Sequence, residues 1–241
     1  MTTERSIIEA VRSELARKAW IGAHAHHLSL DCRDGVLFLA GEVDSVAVKK
    51  QVLEQAAAIQ GVVGIVDRLQ VAPAARMGDG EVARLLGDSL VAENAFSALA
   101  ITAAEGAKPP RLLQDPPVKS GSISFRVADG VVTLNGEVRA LDQKRLAGVL
   151  AWWIPGARDV INGIAVEPPD REDDATLADA IRIVLEKDPL VEAAGIRVVV
   201  TGGTAVLSGS APTEGQRAMA ENDAWCVFGV DHVVNRLSLA S

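Results

Sequence analysis

Apolar and polar positions alternate with period two in three separate stretches of the chain. Leu28, Leu30 and Cys32 alternate with Ser29 and Asp31. Ile123, Phe125 and Val127 alternate with Ser124 and Arg126, and Ile196, Val198 and Val200 enclose Arg197 and Val199. This spacing predicts a strand with one buried face. A turn dipeptide follows each time: Asp34-Gly35, Asp129-Gly130 and Gly202-Gly203. These residues tolerate the positive φ of a tight hairpin. A second strand then buries Leu37/Val132/Ala205 and Leu39/Leu134/Leu207. It reaches a glycine, Gly41/Gly136/Gly209, where backbone geometry or close approach excludes a side chain.

The period next changes to that of a helix. Val52/Ala147/Ala220, Ala56/Ala151/Ala224 and Ile59/Ile154/Val227 form a small apolar column at spacings of four and three. Asp44 and Thr213 are the expected caps, and Gly61, Gly156 and Gly229 the expected stops. A third strand carries Val66/Ile161/Val234, Leu69/Ile164/Leu237 and Val71/Val166/Leu239 as its apolar positions. A leading helix precedes each hairpin. It is marked by Ile7, Ile8, Val11 and Leu15, then by Val82, Leu85, Leu86 and Leu90, then by Leu177, Ile181, Ile183 and Leu185. Leu28–Val71 maps without gaps onto Ile123–Val166 at an offset of 95, and onto Ile196–Leu239 at a further 73. A register held so long marks an internal repeat.

The predicted fold class is α+β. It consists of three tandem α-β-β-α-β units, each with two helices packed on a small three-stranded mixed sheet, over residues 1–72, 79–168 and 173–241. The second unit carries a Pro-rich insertion at about 103–121. Pro109, Pro110, Pro116 and Pro117 exclude a helix interior there. The insertion reads either as a tolerated surface loop or, over 106–118, as a loop that engages a protein partner.

Together these elements resemble one family. The hairpin reads DGVLFLAGEV at 34–43, DGVVTLNGEV at 129–138 and, more loosely, GGTAVLSGSA at 202–211. The helix ends in glycine, and the closing strand follows V-x-N/D-x-L-x-V, as in Val160, Asn162, Ile164 and Val166. This pattern is similar to that of the BON domain, a family named for bacterial osmotically induced and nodulation-related proteins. The resemblance implies a binding module without catalytic residues, with phospholipid membranes as the commonest proposed ligand. It implies a setting in osmotic or envelope stress. A cytoplasmic relative linked to potassium binding keeps a small-ligand or ion sensor open, beside a protein-protein scaffold. The expectation is a non-enzymatic protein, with phospholipid-surface binding favoured.

Charge and composition narrow the partners. The net charge is −8, and residues 169–241 hold 6 basic against 12 acidic groups. That argues against a nucleic-acid track, which needs clustered Lys and Arg. The charged N-terminal stretch has no apolar h-region, and no window approaches about 18 uninterrupted apolar residues. This gives the expectation of a cytoplasmic rather than periplasmic chain. Cys32 and Cys226 form no CxxC pair and read as buried thiols. His24, His26 and His27 could hold a transition metal, but repeats two and three have no counterpart. An exposed polar loop is the simpler reading, and no metal or cofactor is expected. No phosphate loop, HExxH or G-x-S-x-G motif occurs.

The candidate interaction surface has three parts. Phe38, Val131, Val199 and Val206, with Val36, point to the nominally outer sheet face. Trp152, Trp153 and Trp225 sit late in the second helices, and Trp20 at the end of the first helix. They read as core or inter-repeat packing, or as an aromatic patch for a membrane or partner. Lys49, Lys144 and Arg217 share one helix position, facing either lipid phosphates or plain solvent.

Overall fold

A computed structural model of the chain describes residues 4–18, 25–104, 106, 109–169 and 173–240. It divides into two compact units, Met1–Ala72 and Pro73–Ser241. The first unit runs α1 (Glu4–Arg17), β1 (Ala25–Arg33), β2 (Val36–Val43), α2 (Val46–Ala57) and β3 (Gly64–Val71). Asp34 and Gly35 take φ of 51° and 79° between β1 and β2. Two successive positive φ values match the twist of an antiparallel pair, so the dipeptide sets the hairpin. β3 returns parallel to β2, giving the order β1-β2-β3 with α2 as the crossover. Ile7, Val11 and Leu15 of α1 and Val52 and Ala56 of α2 are buried, as are Leu37, Leu39 and Val43 of β2. Ser45, not Asp44, caps α2: its hydroxyl accepts from the Val48 amide at 3.2 Å.

The second unit contains α3 (Asp79–Ala92), β4 (Leu99–Ala104), β5 (Arg111–Gln114), β6 (Gly121–Ala128), β7 (Val131–Val138), α4 (Leu141–Trp152) and β8 (Asp159–Val166). It continues with α5 (Asp174–Lys187), β9 (Ile196–Thr201), β10 (Thr204–Ala211), α6 (Glu214–Cys226) and β11 (His232–Leu239). The third sheet has the expected three strands, in the order β11-β10-β9, and Thr213 caps α6 as expected. The middle sheet departs from expectation. It has five strands, β5-β4-β6-β7-β8. The segment read as a structureless insertion begins within β4, whose Leu99, Ile101 and Ala103 are buried. The alternation in LAITAA is a strand signal, but the prolines that follow it masked it.

Three polar contacts recur in every repeat. The first residue of each leading helix accepts from the hairpin turn. Glu4 accepts from the Asp34 amide at 3.0 Å, Asp79 from Asp129 and Gly130 at 2.9 Å each, and Asp174 from Gly202 and Gly203 at 2.9 and 3.3 Å. A carboxylate is also favoured at a helix start by the macrodipole. The hairpin glycine carbonyl accepts from the segment leading into the closing strand, from Val63, Arg158 and Asp231 at 2.9, 2.9 and 3.0 Å. The third contact is a clasp in the closing strand. Asn162 accepts from the Ile164 amide at 3.3 Å, and its Nδ2 donates to the Lys144 carbonyl at 2.8 Å. Asn235 does the same with Leu237 and Arg217, at 3.1 and 3.0 Å. Asp67 accepts from Leu69 at 2.8 Å but has no N–H to offer the helix. Lys49 substitutes for it: its Nζ donates to the Leu69 carbonyl at 2.8 Å and lies 3.0 Å from Asp67 Oδ2.

The clasp places this polar residue on the helix side of the strand and moves its neighbour outward. Ile161 is therefore exposed and Val66 and Val234 half-buried, although all three count among the strand's apolar positions. Other apolar positions differ as well, and Leu239 is exposed. Ile183 is exposed and Val184 takes its place inside, and Ile59 is only half-buried. Gly61 and Gly229 have φ of 101° and 96°, as a helix stop requires. Gly156 is needed for space instead, since a Cβ there would lie 2.7 Å from Met77 and Val82.

If the clasp is equivalent in the three repeats, Lys49→Met leaves Asp67 without its cation. It should destabilise the first unit by about 2 kcal/mol in urea unfolding. Adding Asp67→Asn supplies an amide donor for the helix carbonyl and should recover a large part of that loss. A double variant no more stable than Lys49→Met would refute the equivalence.

Candidate functional site

The basic helix position does not form a row of free cations. Lys49 is 6% exposed and tied into the clasp, so it is not a surface group. Lys144 Nζ lies 4.3 Å from the centroid of the Phe228 ring. Arg217 is held by Glu214 at 2.9 and 3.2 Å. All three side chains satisfy contacts inside their own unit.

The tryptophans also divide. Trp225 is fully buried, with its ring edge-on to His232 at 5.9 Å, so it belongs to the core rather than to a surface patch. Trp152 and Trp153 are half-buried. Trp153 ends α4, and its Nε1 donates to Asp223 Oδ1 of α6 at 2.9 Å. This bond joins the second repeat to the third. Trp20 and His24 lie outside the described residues, and His26 and His27 fall in β1.

Around Trp153 the two repeats meet along a polar seam, with α4 against α5 and α6. Arg145, 1% exposed, donates from Nε to the Phe228 carbonyl at 3.0 Å and lies 3.4 Å from Asp142. Lys187 of α5 pairs with Glu93 at 2.8 Å. Burial acts to raise the Glu93 carboxyl, but the Lys187 ammonium and the Ala95 and Asn94 amides outweigh it and hold the group below its ordinary value. A cavity of about 160 Å³ lies between these pairs, lined by Glu93, Arg145, Ile183 and Lys187 among others. Asp223 is 2% exposed. Burial pushes its carboxyl up to about 7; the Trp153 bond opposes this, and the Asp188 carboxyl beside it adds to the rise. Asp223 Oδ2 has no hydrogen-bond partner among the described residues. Asp188 itself ends α5 and accepts from the Leu190 amide at 2.8 Å.

Sequence reasoning missed Arg145, Asp188 and Asp223. Each stands at a helical position that reads as solvated. The only hint was the aromatic pair at Trp152 and Trp225, which pointed to packing between repeats.

With the helices of repeats two and three facing one another, their sheets turn helix-free faces outward. The third sheet is the most distinctive. Registered across its strands are Arg197, Ser208 and Arg236 in one row, and Val199, Val206 and Val234 in the next. Val199 is 51% exposed, and Val206 and Val234 are half-buried. None of the 12 acidic residues of this repeat falls in β9, β10 or β11. Val131 is half-buried on the equivalent face of the second sheet. Phe38 is half-buried on that of the first, with the Arg33 guanidinium 5.5 Å from its ring centroid. Among the described residues no helix is long and apolar enough to cross a membrane.

A family model of the BON domain matches residues 3–73, 111–168 and 173–241. Its second match begins at β5, leaving α3 and β4 outside. Among solved structures, the chain is similar to the C-terminal domain of CdsD, the structural protein of the type III secretion system of Chlamydia trachomatis. That likeness has 16% identity and a TM-score of 0.26, over 98% of each chain. A second structure of CdsD from the same organism matches at 16% identity and a TM-score of 0.25, over 97% of this chain and 92% of that one. No curated protein matches the chain.

The Asp223 carboxyl gives a pH dependence of defined sign. Below its ordinary value near 3.8 it is protonated whether the chain is folded or not. Between there and about 7 only the folded chain keeps the proton, so stability falls as pH rises through this window and then levels off. The loss is on the order of 4 kcal/mol. Glu93 and Asp173 are held low and act oppositely, but only at more acid pH. Melting temperatures from pH 5 to 8 should fall for the native chain and stay flat for Asp223→Asn. Parallel curves would rule the seam carboxyl out as the source.

Proposed function

The chain belongs to the BON-domain family, and on that footing we propose a non-enzymatic binding protein of bacterial osmotic or envelope stress. Its three linked modules adsorb to phospholipid surfaces through helix-free sheet faces. The observation that carries this reading is the third sheet, where a valine row, exposed at Val199 and half-buried at Val206 and Val234, lies beside an arginine row on a face whose strands carry no acidic residue.

The chemistry suits an anionic headgroup layer. A guanidinium pairs bidentately with phosphate, and each basic group near such a surface is worth about 1 kcal/mol. Valines beside the arginines reach the apolar boundary beneath. Two arginines on one module give weak adsorption, and linkage to a second module multiplies it. Arg33, Arg68 and Phe38 on the first sheet supply further groups, with Arg33 already paired to Asp31 beside it. The net charge of −8 works against this attraction, so the contact must be local and salt-sensitive.

Co-sedimentation with vesicles of phosphatidylglycerol and phosphatidylethanolamine at low salt tests the reading. The native chain should pellet with the vesicles and be released by about 0.3 M salt, beyond which screening is severe. Arg197→Glu with Arg236→Glu and Val199→Asp, all at exposed positions, should abolish pelleting without lowering the melting temperature. A native chain that stays in the supernatant at low salt would sink the proposal.

A further inference from the structure

The first strand of the hairpin is an edge in the third repeat but not in the second. In the second repeat β4 lies parallel to β6, with Leu99 opposite Gly121, Ile101 opposite Ile123 and Ala103 opposite Phe125. The pairing buries Ile123 and Phe125 of β6 and Leu99, Ile101 and Ala103 of β4. It also buries Ala83 of α3. From β5, Leu113 closes over Gly87 of the same helix, where a Cβ would come within 2.8 Å of the leucine. The cover therefore fills the space between the leading helix and the hairpin.

The third repeat has the same helix and hairpin without that cover. β9 is a sheet edge, and Ile196 and Val198, equivalent to Ile123 and Phe125, are half-exposed. Ala178, equivalent to Ala83, is half-exposed as well. Between α5 and β9 runs an open groove of about 890 Å³, with Ala175 and Ala178 on one wall and Ile196 and Val198 on the other. Arg182 stands where Gly87 would be and pairs with Asp179. An edge strand offers unpaired N–H and C=O groups, and aliphatic residues half-open beside it give alternate side chains somewhere to go.

We propose that this groove is a strand-addition site for a partner protein. The occupant is an extended segment that pairs parallel to β9, with aliphatic side chains at alternate positions and basic residues at its flanks. The chain's own β4 is the template for the pairing direction and the alternation. Within the groove Asp174 and Asp179 are balanced by Arg182 and Arg197, so the preference for basic flanks follows from the 6 basic against 12 acidic residues of the repeat as a whole. Pairing supplies affinity through the backbone, and the register of the two aliphatic positions supplies selection, because a one-residue slip turns both outward.

A fluorescein-labelled peptide carrying the sequence of residues 97–104 between lysine pairs serves as the probe. Against the full chain its anisotropy should rise and saturate. Ala178→Arg, and separately Ala175→Arg at an exposed position, should weaken binding at least tenfold while leaving the circular dichroism unchanged. Leu99→Asp with Ile101→Asp in the peptide should do the same. Amide exchange should slow along β9 on binding. No saturable binding overturns the proposal, as does binding indifferent to both groove variants. A dimer of the native chain in sedimentation, broken by either groove variant, would assign the groove to a second copy and also overturn it.

Discussion

A polar side chain facing the helix from the closing strand is the constraint on which each repeat depends. The strand runs parallel to its neighbour, so the chain must cross over through a helix, and something must set that helix along the sheet. The asparagine at 162 or 235 does so with one amide, binding the strand two residues ahead and the helix carbonyl behind. In the first repeat the aspartate cannot donate, and a lysine from the helix reaches in to donate in its place. The small residues beneath, Ala147, Ala151, Ala220 and Ala224, are what such a close approach permits. The basic helix position thus has a structural history in one repeat and different neighbours in the other two, so its threefold recurrence does not mark a common ligand.

Much of the fold was legible because it rests on local rules. Period-two columns, paired positive-φ turn residues and a small-residue helix stripe all concern neighbours a few positions apart, and the repeat allowed each to be read three times. What failed did so for physical reasons. Val66, Ile161 and Val234 read as apolar positions of the closing strand, but the clasp gives the inward place to Asp67, Asn162 and Asn235. β4 was lost because its partner strand is parallel and lies beyond a proline-rich break, so no hairpin signal announces it. The seam was invisible for a more general reason. Arg145, Asp188 and Asp223 come from three helices in two repeats, and nothing in the local pattern distinguishes a charge on a helix facing water from one facing another helix.

The outer faces were better foreseen. Phe38, Val131, Val199 and Val206 all lie on helix-free faces, since period two distinguishes the two sides of a sheet even when it cannot say what covers them. The tryptophans and the basic triplet needed the third dimension. Equivalent positions in a repeat share backbone geometry but not surroundings. Trp225 packs in the core of the third repeat, whereas Trp152, at the matching position, stays half-exposed at the end of α4.

The acid-free sheet of the third repeat has a further consequence. Its arginines project from one side of the module, while none of that repeat's carboxylates falls in its three strands. Separated charge of this kind is a permanent dipole, and a dipole feels torque in an electric field even where net attraction is weak. Within a Debye length of about 8–10 Å of any negatively charged body, this module would rotate before it touched, presenting β9–β11 first. A net charge of −8 therefore does not describe what an approaching surface meets.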